Sequence, residues 1–369
     1  MNYYRRTLLR RFFPLPRYLS LPAFGLDISD HSVKFAELVW RKGELRLGTF
    51  GKETLAPGVI ERGEIKHKES LEATLRSVRE RMRGQRYAIV SLPEERAYVS
   101  IMQLPVMRAS EIPVAIESQL EEYVPIAPDA AIFDYEKLPP DPFVDHHVDI
   151  AVSVFPLGLA ELYRDVLHGA GIVPLAFEIE THALARAALP FGERRVALLV
   201  DIGNARTSFA VVKDGFVRFS ATVTLGGKDF DAILSKSFGV DAAAAHALKE
   251  REGVAWVSGN YKNKEVFNAL LPIISAIKDE VARHMTYWNT QRKHHEGENV
   301  GFVMLSGGGA NLFGLEEYLS YQLNLPVRTA NPWTNIVSFD RHVPELHSSR
   351  AVAFTSTLGL ALRGVERTL

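Results

Sequence analysis

The chain carries one strand–turn–strand pattern twice, once near its start and once near its middle. Residues 24–38 read FGLDISDHSVKFAEL, and residues 198–212 read LLVDIGNARTSFAVV. In each copy an apolar strand ends close to an aspartate, a turn of small or polar residues follows, and a second apolar strand begins. Asp27 and Asp201 hold the same place in the two copies. The repeat therefore predicts a fold of two similar lobes, each built on its own hairpin.

A glycine turn near residue 307 adds a third element. Residues 303–312 read VMLSGGGANL, which predicts a buried strand, a tight turn and then a helix. Glycine lets backbone N–H groups approach phosphate oxygens, and a carboxylate beside such a turn can hold magnesium through its water shell. Taken alone, an aspartate at a strand end or a glycine triplet most often marks a plain turn. Together, the two aspartate hairpins and this turn predict a nucleotide clamp between two lobes.

The composition is that of an ordinary globular protein and excludes several classes of function. The 369 residues carry a net charge of −1, which gives no argument for a nucleic-acid partner. The absence of cysteine excludes disulfides, thiol catalysis and cysteine metal sites, and it fits a reducing compartment. No apolar run approaches the roughly 18 residues that cross a bilayer. We expect a cytosolic protein.

Residues 1–22 are a basic arm, with four arginines among the first 14 residues. The arm lacks the apolar core and the cleavage site of a signal peptide. Two interpretations stay open: the arm binds an anionic membrane surface or a partner protein, or it is a solvated leader.

The remaining chain divides into three blocks. Residues 23–104 and 174–192 predict the first lobe, and residues 193–369 predict the second. Residues 105–173 are predicted to form a helix, two strands and a helix, a small inserted α+β subdomain. This block holds no constellation of catalytic residue types, so we interpret it as an interaction module.

Start and stop signals place the main helices. Ser110 is expected to cap a helix that ends at Tyr123. Residues 264–292 predict either one long helix or two helices that meet at Pro272. Residues 348–364 predict a last, largely apolar helix.

Four stretches carry a resemblance to a known family. They are residues 25–34 (GLDISDHSVK), 117–126 (ESQLEEYVPI) with 133–135 (FDY), 178–184 (EIETHAL) and 305–315 (LSGGGANLFGL). With the order of the blocks, they resemble the actin-like ATPase superfamily and, within it, the PilM proteins of type IV pilus assembly. The resemblance implies an α/β, ribonuclease H-like fold of two lobes, with ATP and Mg²⁺ bound in the cleft between them.

The resemblance also implies roles for individual positions. Asp27 and Asp201 would hold Mg²⁺, and Glu180 falls where the superfamily keeps a polar residue that orients the attacking water. The hairpin turns and Lys34 would hold phosphate, the glycine turn would hold adenosine, and three later residues would approach the base and ribose. The predicted phosphate contacts are Ser29, Ser32, Lys34, Gly203, Asn204 and Thr207. The predicted adenosine contacts are Gly307, Gly308 and Gly309. The predicted base and ribose contacts are Gly226, Gly227 and Lys249.

Three residues depart from the family's turns. The usual DIGSSS turn is DISDHS here, so Ser29 lacks the backbone freedom of glycine, and Asp30 adds a negative charge near the phosphate position. In the second turn Arg206 replaces a small residue. Arg206 can offset Asp30 and bind phosphate, or it can pair with Asp30 and fill an empty cleft. These departures favour ATP binding over efficient ATP hydrolysis.

The family's role implies a partner. The chain would be a cytoplasmic scaffold of the pilus machinery, held at the inner face of the inner membrane by the cytoplasmic tail of a single-pass, PilN-like protein. The groove for that tail would lie between the subdomain and the first lobe, with Glu117, Leu120, Tyr123 and Val124 as contacts. The apolar members of this set can equally form the core of the subdomain. The sequence leaves self-association open.

Three alternatives stay open. One is a scaffold with a degenerate, nucleotide-free cleft. Another is a filament-forming ATPase like FtsA, although residues 351–369 show no linker followed by an amphipathic anchor. The third is a phosphotransferase like the sugar kinases, for which the sequence offers no substrate carboxylate.

Overall fold

The computed structural model describes residues 21–41, 43–140, 146–254, 256–257, 260–261, 263–290, 299–340 and 342–366. The basic arm predicted for residues 1–22 lies almost entirely outside the described residues. No helix within the described ranges is both long enough and apolar enough to cross a membrane.

The described chain contains both strands and helices. The strands are β1 (Phe24–Ile28), β2 (Ser32–Arg41), β3 (Glu44–Thr54), β4 (Ile60–Glu61), β5 (Glu64–Ile65), β6 (Tyr87–Leu92), β7 (Tyr98–Pro105), β8 (Ala131–Lys137), β9 (His147–Pro156), β10 (Val173–Ile179), β11 (Val196–Ile202), β12 (Thr207–Lys213), β13 (Phe216–Val223), β14 (Trp256–Val257), β15 (Asn260–Tyr261), β16 (Val300–Ser306) and β17 (Val327–Thr329). The α-helices are α1 (Lys68–Arg81), α2 (Ile112–Tyr123), α3 (Leu157–Gly169), α4 (Glu180–Ala188), α5 (Gly227–Phe238), α6 (Ala242–Glu252), α7 (Lys264–Thr290), α8 (Leu315–Leu323), α9 (Ser348–Val352) and α10 (Thr355–Glu366). Short 3₁₀ turns cover Glu94–Arg96, Pro128–Ala130 and Gly308–Asn311.

Two five-stranded sheets with the same strand order form the two lobes. The first runs β3-β2-β1-β6-β10, and the second runs β13-β12-β11-β16-β17. In each sheet the first three strands are antiparallel, whereas the two later strands run parallel to the central one. All five residues of β1 are buried, as expected for a central strand covered on both faces. The predicted two-lobed α/β fold is confirmed.

The turns of the two repeated hairpins are closed by the same backbone hydrogen bond. In the first, Ser29 donates its N–H to the carbonyl oxygen of Ser32 over 2.9 Å. In the second, Gly203 donates its N–H to the carbonyl oxygen of Arg206 over the same 2.9 Å. Ser32 and Arg206 are therefore equivalent positions, and a long cation stands where the first turn has a small hydroxyl.

The inserted subdomain is a three-stranded antiparallel sheet, β7-β9-β8, with α2 packed on it. The sequence-based boundaries at residues 105 and 173 differ from this packing at both ends. β7 lies before residue 105 but pairs with β9 in the subdomain sheet. α3 lies before residue 173, but its Tyr163 and Leu167 are buried in the core of the first lobe.

Each lobe receives one helix from the other. α4 follows the last strand of the first sheet, but its Leu184 and Ala185 pack against the second sheet. α10 follows the second lobe along the chain, but its Leu358 and Ala361 pack against the first sheet. The two helices contact each other where they cross. The sequence-based second lobe of residues 193–369 thus differs from the observed packing at α10.

Two glycines allow this crossing to be close. A Cβ atom at Gly359 would lie 1.8 Å from the carbonyl oxygen of Ala183 in α4. A Cβ atom at Gly25 would lie 2.2 Å from the carbonyl oxygen of Thr357 in α10. Protein interiors are close-packed, so a side chain at either glycine would have to push the helices apart.

A buried ion cluster joins the first sheet to both crossing helices. Glu178 of β10 pairs with Arg186 of α4 and with Arg363 of α10, the latter over 3.1 Å. Burial by itself raises the pKa of Glu178, but the two guanidinium groups outweigh burial and lower this pKa to about 2. Arg186 also donates a 3.1 Å hydrogen bond to the carbonyl oxygen of Gly359.

The structure settles or corrects three sequence-based helix predictions. α7 runs unbroken through Pro272, so the single-helix alternative is correct. α2 begins at Ile112 after Glu111, so Ser110 is not its N-cap residue. The predicted helix over residues 348–364 is divided into α9 and α10.

We predict that Gly359→Ala lowers the free energy of unfolding by about 1–3 kcal/mol, because the new Cβ must displace the backbone of Ala183. Gly158→Ala is the matched control, since Gly158 also lies in a helix and a Cβ there meets nothing within 4 Å. The control should be neutral or slightly stabilising, because alanine favours helix. Urea denaturation measures both variants. Equal effects would contradict the importance of the close crossing.

Candidate functional site

The hairpin turns and the glycine turn meet in the cleft between the lobes. Asp201 and Ser306 lie side by side at the carboxyl ends of the parallel strands β11 and β16. A Cβ atom at Gly307 would lie 2.9 Å from Oδ1 of Asp201. The charges of Asp27 and Lys34 in the first lobe also act on Asp201. The structure thus brings the two predicted aspartates together with Lys34 and the glycine turn.

Asp27 is buried and fixed by three side chains. Its Oδ1 accepts a 3.0 Å hydrogen bond from the hydroxyl of Ser91. Its Oδ2 lies 3.4 Å from Nζ of Lys34 and accepts from the hydroxyl of Thr357, also over 3.4 Å. Because Thr357 belongs to α10, the crossing helix contributes directly to the site.

The two aspartates suit a magnesium–nucleotide complex. Burial raises the pKa of Asp201, and the charge of Asp27 adds to this, while Lys34 and the hydroxyl of Ser306 act in the opposite direction. A cation between the carboxylates would relieve their repulsion. Magnesium is usually held by one or two carboxylates together with waters and phosphate oxygens. The described residues contain no group of three or more His, Cys, Asp or Glu side chains arranged to hold a metal by themselves.

The side chains of the first turn are engaged locally. The hydroxyl of Ser29 donates to the carbonyl oxygen of Ser32 over 3.0 Å, and the two hydroxyls lie 3.3 Å apart. The carboxylate of Asp30 accepts the N–H groups of Arg62 and Gly63 over 3.0 and 3.1 Å. The charge of Asp30 therefore fixes the neighbouring β4–β5 turn.

Arg206 bridges the two lobes. Its Nη2 lies 2.6 Å from Oε1 of Glu180, and its Nη1 lies 2.9 Å from Oε1 of Glu95. Asp30 is more distant, at 3.9 Å. All four side chains are at most 16% exposed, so this is an internal ion cluster. In this conformation Arg206 is paired, as one of the two sequence-based alternatives predicts, but Glu180 and Glu95 are its closest partners.

The cluster contains three carboxylates and one guanidinium, and the pKa values of Glu180, Glu95 and Arg206 are shifted. Burial raises the pKa of Glu180 well above its usual range and also raises the pKa of Glu95, although Arg206 acts against both shifts. Burial lowers the pKa of Arg206, but the surrounding carboxylates outweigh burial and raise it. Arg206 therefore stays charged, and its removal would leave buried carboxylates without compensation.

Sequence reasoning missed Glu94 and Glu95. Glu94 is 2% exposed, and its Oε2 accepts both the N–H and the hydroxyl of Thr181 in the first turn of α4. Within the described chain, Oε1 of Glu94 and Oε2 of Glu95 are buried without a hydrogen-bond partner. Their position in the sequence could have identified them. The two glutamates follow Pro93 at the carboxyl end of β6, and α/β proteins bind ligands at the carboxyl ends of their strands.

Gly226 and Gly227 lie against the second hairpin turn. Gly227 donates its N–H to the carbonyl oxygen of Gly203 over 2.8 Å, and Lys228 donates to Asn204 over 2.9 Å. A Cβ atom at Gly226 would lie 2.6 Å from the carbonyl oxygen of Asn204. The glycines thus let the start of α5 support this turn. Their contact with base and ribose stays a prediction.

Two other predicted contacts are engaged by protein atoms. Thr207 is buried and donates its hydroxyl to the carbonyl oxygen of Leu225 over 2.7 Å. Lys249 pairs with Asp231 over 2.7 Å and lies 3.4 Å from the carbonyl oxygen of Gly227. To contact a nucleotide through its side chain, Thr207 or Lys249 would first have to break these bonds.

The glycine turn is tight at two positions and open at one. Gly307 has a φ of +79°, and a Cβ atom at Gly309 would lie 2.2 Å from Cγ2 of Ile202. A Cβ atom at Gly308 would meet nothing within 4 Å, which leaves room for a ligand. The turn continues as a 3₁₀ turn rather than the predicted helix, and α8 begins only at Leu315.

The predicted partner-binding residues separate into two pairs. Leu120 and Val124 are 0% and 4% exposed and belong to the core of the subdomain. Glu117 and Tyr123 are exposed. Leu120 and Val124 therefore form part of the subdomain core, as the second interpretation of the sequence predicts. The face of α2 that carries Leu120 packs on the subdomain sheet.

The family comparison agrees with this geometry. The model of the family described as type IV pilus assembly protein PilM matches residues 25–365. The chain belongs to the PilM family. This confirms the family resemblance, while the roles of single side chains in the PilM cleft stay predictions.

Similar proteins place this PilM-family chain among actin-like folds. A chain of the solved PilM-PilN type IV pilus biogenesis complex is 25% identical, with a TM-score of 0.78 and coverage of 95% of this chain and 99% of that one. MreB5 of Spiroplasma citri bound to ADP is 14% identical, with a TM-score of 0.54 and coverage of 93% and 96%, which is a likeness of fold alone. The cell division protein FtsA of Neisseria meningitidis serogroup B is 27% identical over 149 residues. That match spans 36% of the length of each protein.

We predict that Arg206→Met lowers the free energy of unfolding by about 3–5 kcal/mol near pH 8, because Glu180 and Glu95 lose their cation. The pKa values of these carboxyls are raised in the folded state, which therefore binds more protons than the unfolded chain. The stability of the variant should consequently rise as the pH falls from about 8 towards 6. Urea denaturation across this range measures both effects.

Arg164→Met is the matched control for this experiment. Arg164 is 45% exposed and pairs with Asp165 on the surface, so its loss should cost less than about 1 kcal/mol at any of these pH values. An Arg206→Met variant as stable as Arg164→Met, or one whose stability does not depend on pH, would show that the buried cluster is not held together by charge.

Proposed function

We propose that this PilM-family protein is a scaffold of the type IV pilus assembly machinery that binds magnesium-ATP between its lobes and docks the cytoplasmic tail of a PilN-like inner-membrane protein. The observation that carries the nucleotide part is the meeting of Asp27, Asp201 and the open glycine turn at Gly308. The partner is supported by the similar solved chain, which belongs to a PilM-PilN complex. In this proposal the chain works in the cytoplasm, at the membrane only through that partner.

The residues of the cleft divide the work of binding. The N–H groups of the two hairpin turns and the ammonium of Lys34 would hold phosphate oxygens, while Asp27 and Asp201 would hold magnesium through its water shell. The metal, when bound, would neutralise charge on the phosphates. Gly308 offers the open side against which the rest of the nucleotide can lie.

Binding is better supported than rapid hydrolysis. A residue that orients an attacking water needs a free carboxylate oxygen near the phosphates. The Oε1 atom of Glu180 is instead held by Arg206 over 2.6 Å. Orientation of water by this oxygen would therefore require Arg206 to move first. Because this ion pair competes with the catalytic role of Glu180, we expect slow turnover.

A groove beside the subdomain suits the partner's tail. It has a volume of about 380 Å³ and lies where Glu64 and Ile65 of the first lobe face Pro156 and Leu159, at the junction of the subdomain with α3. A second groove of about 350 Å³ runs along α2, with Met107 among its lining residues. We assign the tail to the first groove, because Pro156 ends the subdomain strand β9 and Glu64 and Ile65 belong to the first lobe; the predicted contacts on α2 do not line this groove.

One short segment connects the cleft to the subdomain. Glu95 is paired with Arg206 of the second lobe, and Glu94 accepts hydrogen bonds from the start of α4. Three residues after Glu95 the chain enters β7, whose Val99 packs against the apolar cluster of the second lobe. A shift of the second lobe on nucleotide binding would thus move the edge of the subdomain. This supports a scaffold in which lobe closure changes partner affinity.

A nucleotide-free scaffold is the second candidate function. The observation in its favour concerns Arg206, the last residue of the second hairpin turn. Its guanidinium is already paired with the carboxylates of Glu95 and Glu180. In that case the cleft would serve only to hold the lobes together.

We predict that magnesium-ATP raises the free energy of unfolding by about 2.7 kcal/mol at 100 times its dissociation constant, as for any ligand that binds only the folded state. Asp201→Asn should abolish most of this gain, because the variant loses a predicted magnesium ligand. Asp129→Asn, on an exposed 3₁₀ turn, should keep all of it. Thermal unfolding with and without the nucleotide makes the measurement. The absence of any gain in the unmodified protein at millimolar nucleotide would favour the nucleotide-free scaffold.

We also predict that Glu95→Gln weakens the coupling between nucleotide and partner, because it removes the charge that ties the segment 94–99 to Arg206. The probe is a synthetic peptide with the sequence of the PilN tail from the same organism. Its affinity is measured by fluorescence anisotropy with and without magnesium-ATP. Because coupling is reciprocal, the ratio of the two affinities reports it directly.

In the unmodified protein this ratio should differ from one, and in Glu95→Gln it should approach one. Glu136→Gln, an exposed position of β8, is the control and should keep the original ratio. An unchanged ratio in Glu95→Gln would place the coupling elsewhere.

A further inference from the structure

A row of charged side chains crosses the cleft face of the first sheet. Asp27 lies directly opposite Lys34, and Lys34 lies directly opposite Lys52, across β1, β2 and β3. Directly opposite residues share one face of a sheet. The contact between Lys34 and the cleft residue Asp27 identifies that face. Glu53, the next residue along β3, lies on the other face and pairs there with Arg81. Lys52 therefore faces the cleft.

The second lobe has no lysine in the equivalent row. There Asp201 lies opposite Ser208, and Ser208 lies opposite Thr222. The first row has two lysines for one aspartate, so it carries an uncompensated positive charge. Like charges directly opposite each other on antiparallel strands are destabilising. An anion beside Lys34 and Lys52 would turn this unfavourable pair into a favourable one.

Lys228 brings another ammonium group from the second lobe. It is the second residue of α5, and its N–H donates to Asn204 in the second hairpin turn over 2.9 Å. The imidazole of His31, in the first turn, interacts electrostatically with both Lys228 and Lys52. The charges of the two lysines thus act on one side chain from opposite lobes. Neither lysine forms an ion pair with any residue in the described part of the chain.

Three cations and one carboxylate act on His31. Burial lowers the pKa of His31, and Lys228, Arg206 and Lys52 act in the same direction, so the imidazole is neutral near neutral pH. The carboxylate that acts on His31 is that of Asp30, which is occupied by the N–H groups of the β4–β5 turn. Lys52 and Lys228 are both exposed and can reach a ligand at the mouth of the cleft.

We propose that Lys52 and Lys228 bind the terminal phosphate of a nucleoside triphosphate, one from each lobe, and so distinguish ATP from ADP. This inference rests on the proposed nucleotide cleft. A phosphate group adds between one and two negative charges near neutral pH. A triphosphate would join the two lysines and draw the lobes together, whereas a diphosphate would leave them unbridged. The number of phosphates would thereby set lobe closure.

Isothermal titration of the full chain with ADP and with the hydrolysis-resistant analogue AMP-PNP, both with magnesium, tests the proposal. Lys52→Met and Lys228→Met should each weaken AMP-PNP binding about tenfold, the size expected for the loss of one charge-assisted contact. ADP binding should change less than about twofold, because the diphosphate does not reach either lysine. Lys236→Met, at the far end of α5, is the matched control and should change neither. Lys52→Arg and Lys228→Arg keep the charge and should keep the preference for AMP-PNP.

The possible outcomes separate this inference from the function on which it rests. If the methionine variants bind AMP-PNP as the unmodified protein does, or lose both nucleotides equally, the assignment of the terminal phosphate is wrong and the cleft stands. If the unmodified protein binds neither nucleotide, both proposals fail. Thermal unfolding of the nucleotide-free variants establishes that each is folded.

Discussion

The backbone contact between the exchanged helices is the constraint on which the cleft depends. α4 and α10 cross with Gly359 against Ala183, and Gly25 of β1 lies against the backbone of Thr357. This contact holds the carboxyl ends of the two central strands, and thus Asp27 and Asp201, towards each other. Thr357 also reaches Asp27 directly. Gly25, two residues before Asp27, and Gly359, two residues after Thr357, therefore set how closely α10 can approach the site.

Charge then determines how the two lobes are held across that cleft. The carboxylates of Glu180 and Glu95 pair with Arg206, which belongs to the second hairpin turn. An ion cluster of this kind gives a defined closed arrangement, but it adds little net stability, because desolvation offsets much of the attraction. A bound nucleotide would add phosphate charge beside this cluster and change its balance. The same residues that hold the lobes can thus make the lobes sensitive to a ligand.

Much of the fold could be predicted from the repeat, but the packing between lobes could not. The matching positions of Asp27 and Asp201 follow from a local pattern that a sequence displays directly. The exchange of α10 onto the first sheet depends on contacts between residues 330 positions apart, such as Thr357 with Asp27. The closest partners of Arg206 were missed for the same reason, since Glu95 is 111 residues away; only the more distant Asp30 was predicted. Leu120 shows the limit of helical periodicity, which marks an apolar face but not what covers it.

Hydrogen–deuterium exchange with and without magnesium and AMP-PNP tests most directly whether one nucleotide contacts both lobes. Exchange should become slower at three places together: residues 29–32, residues 203–206 and residues 307–309. A smaller change should extend to residues 94–99, which join the cleft to the subdomain. Slower exchange in the turn of one lobe alone, or no change at any of the three, would contradict a nucleotide that bridges the lobes.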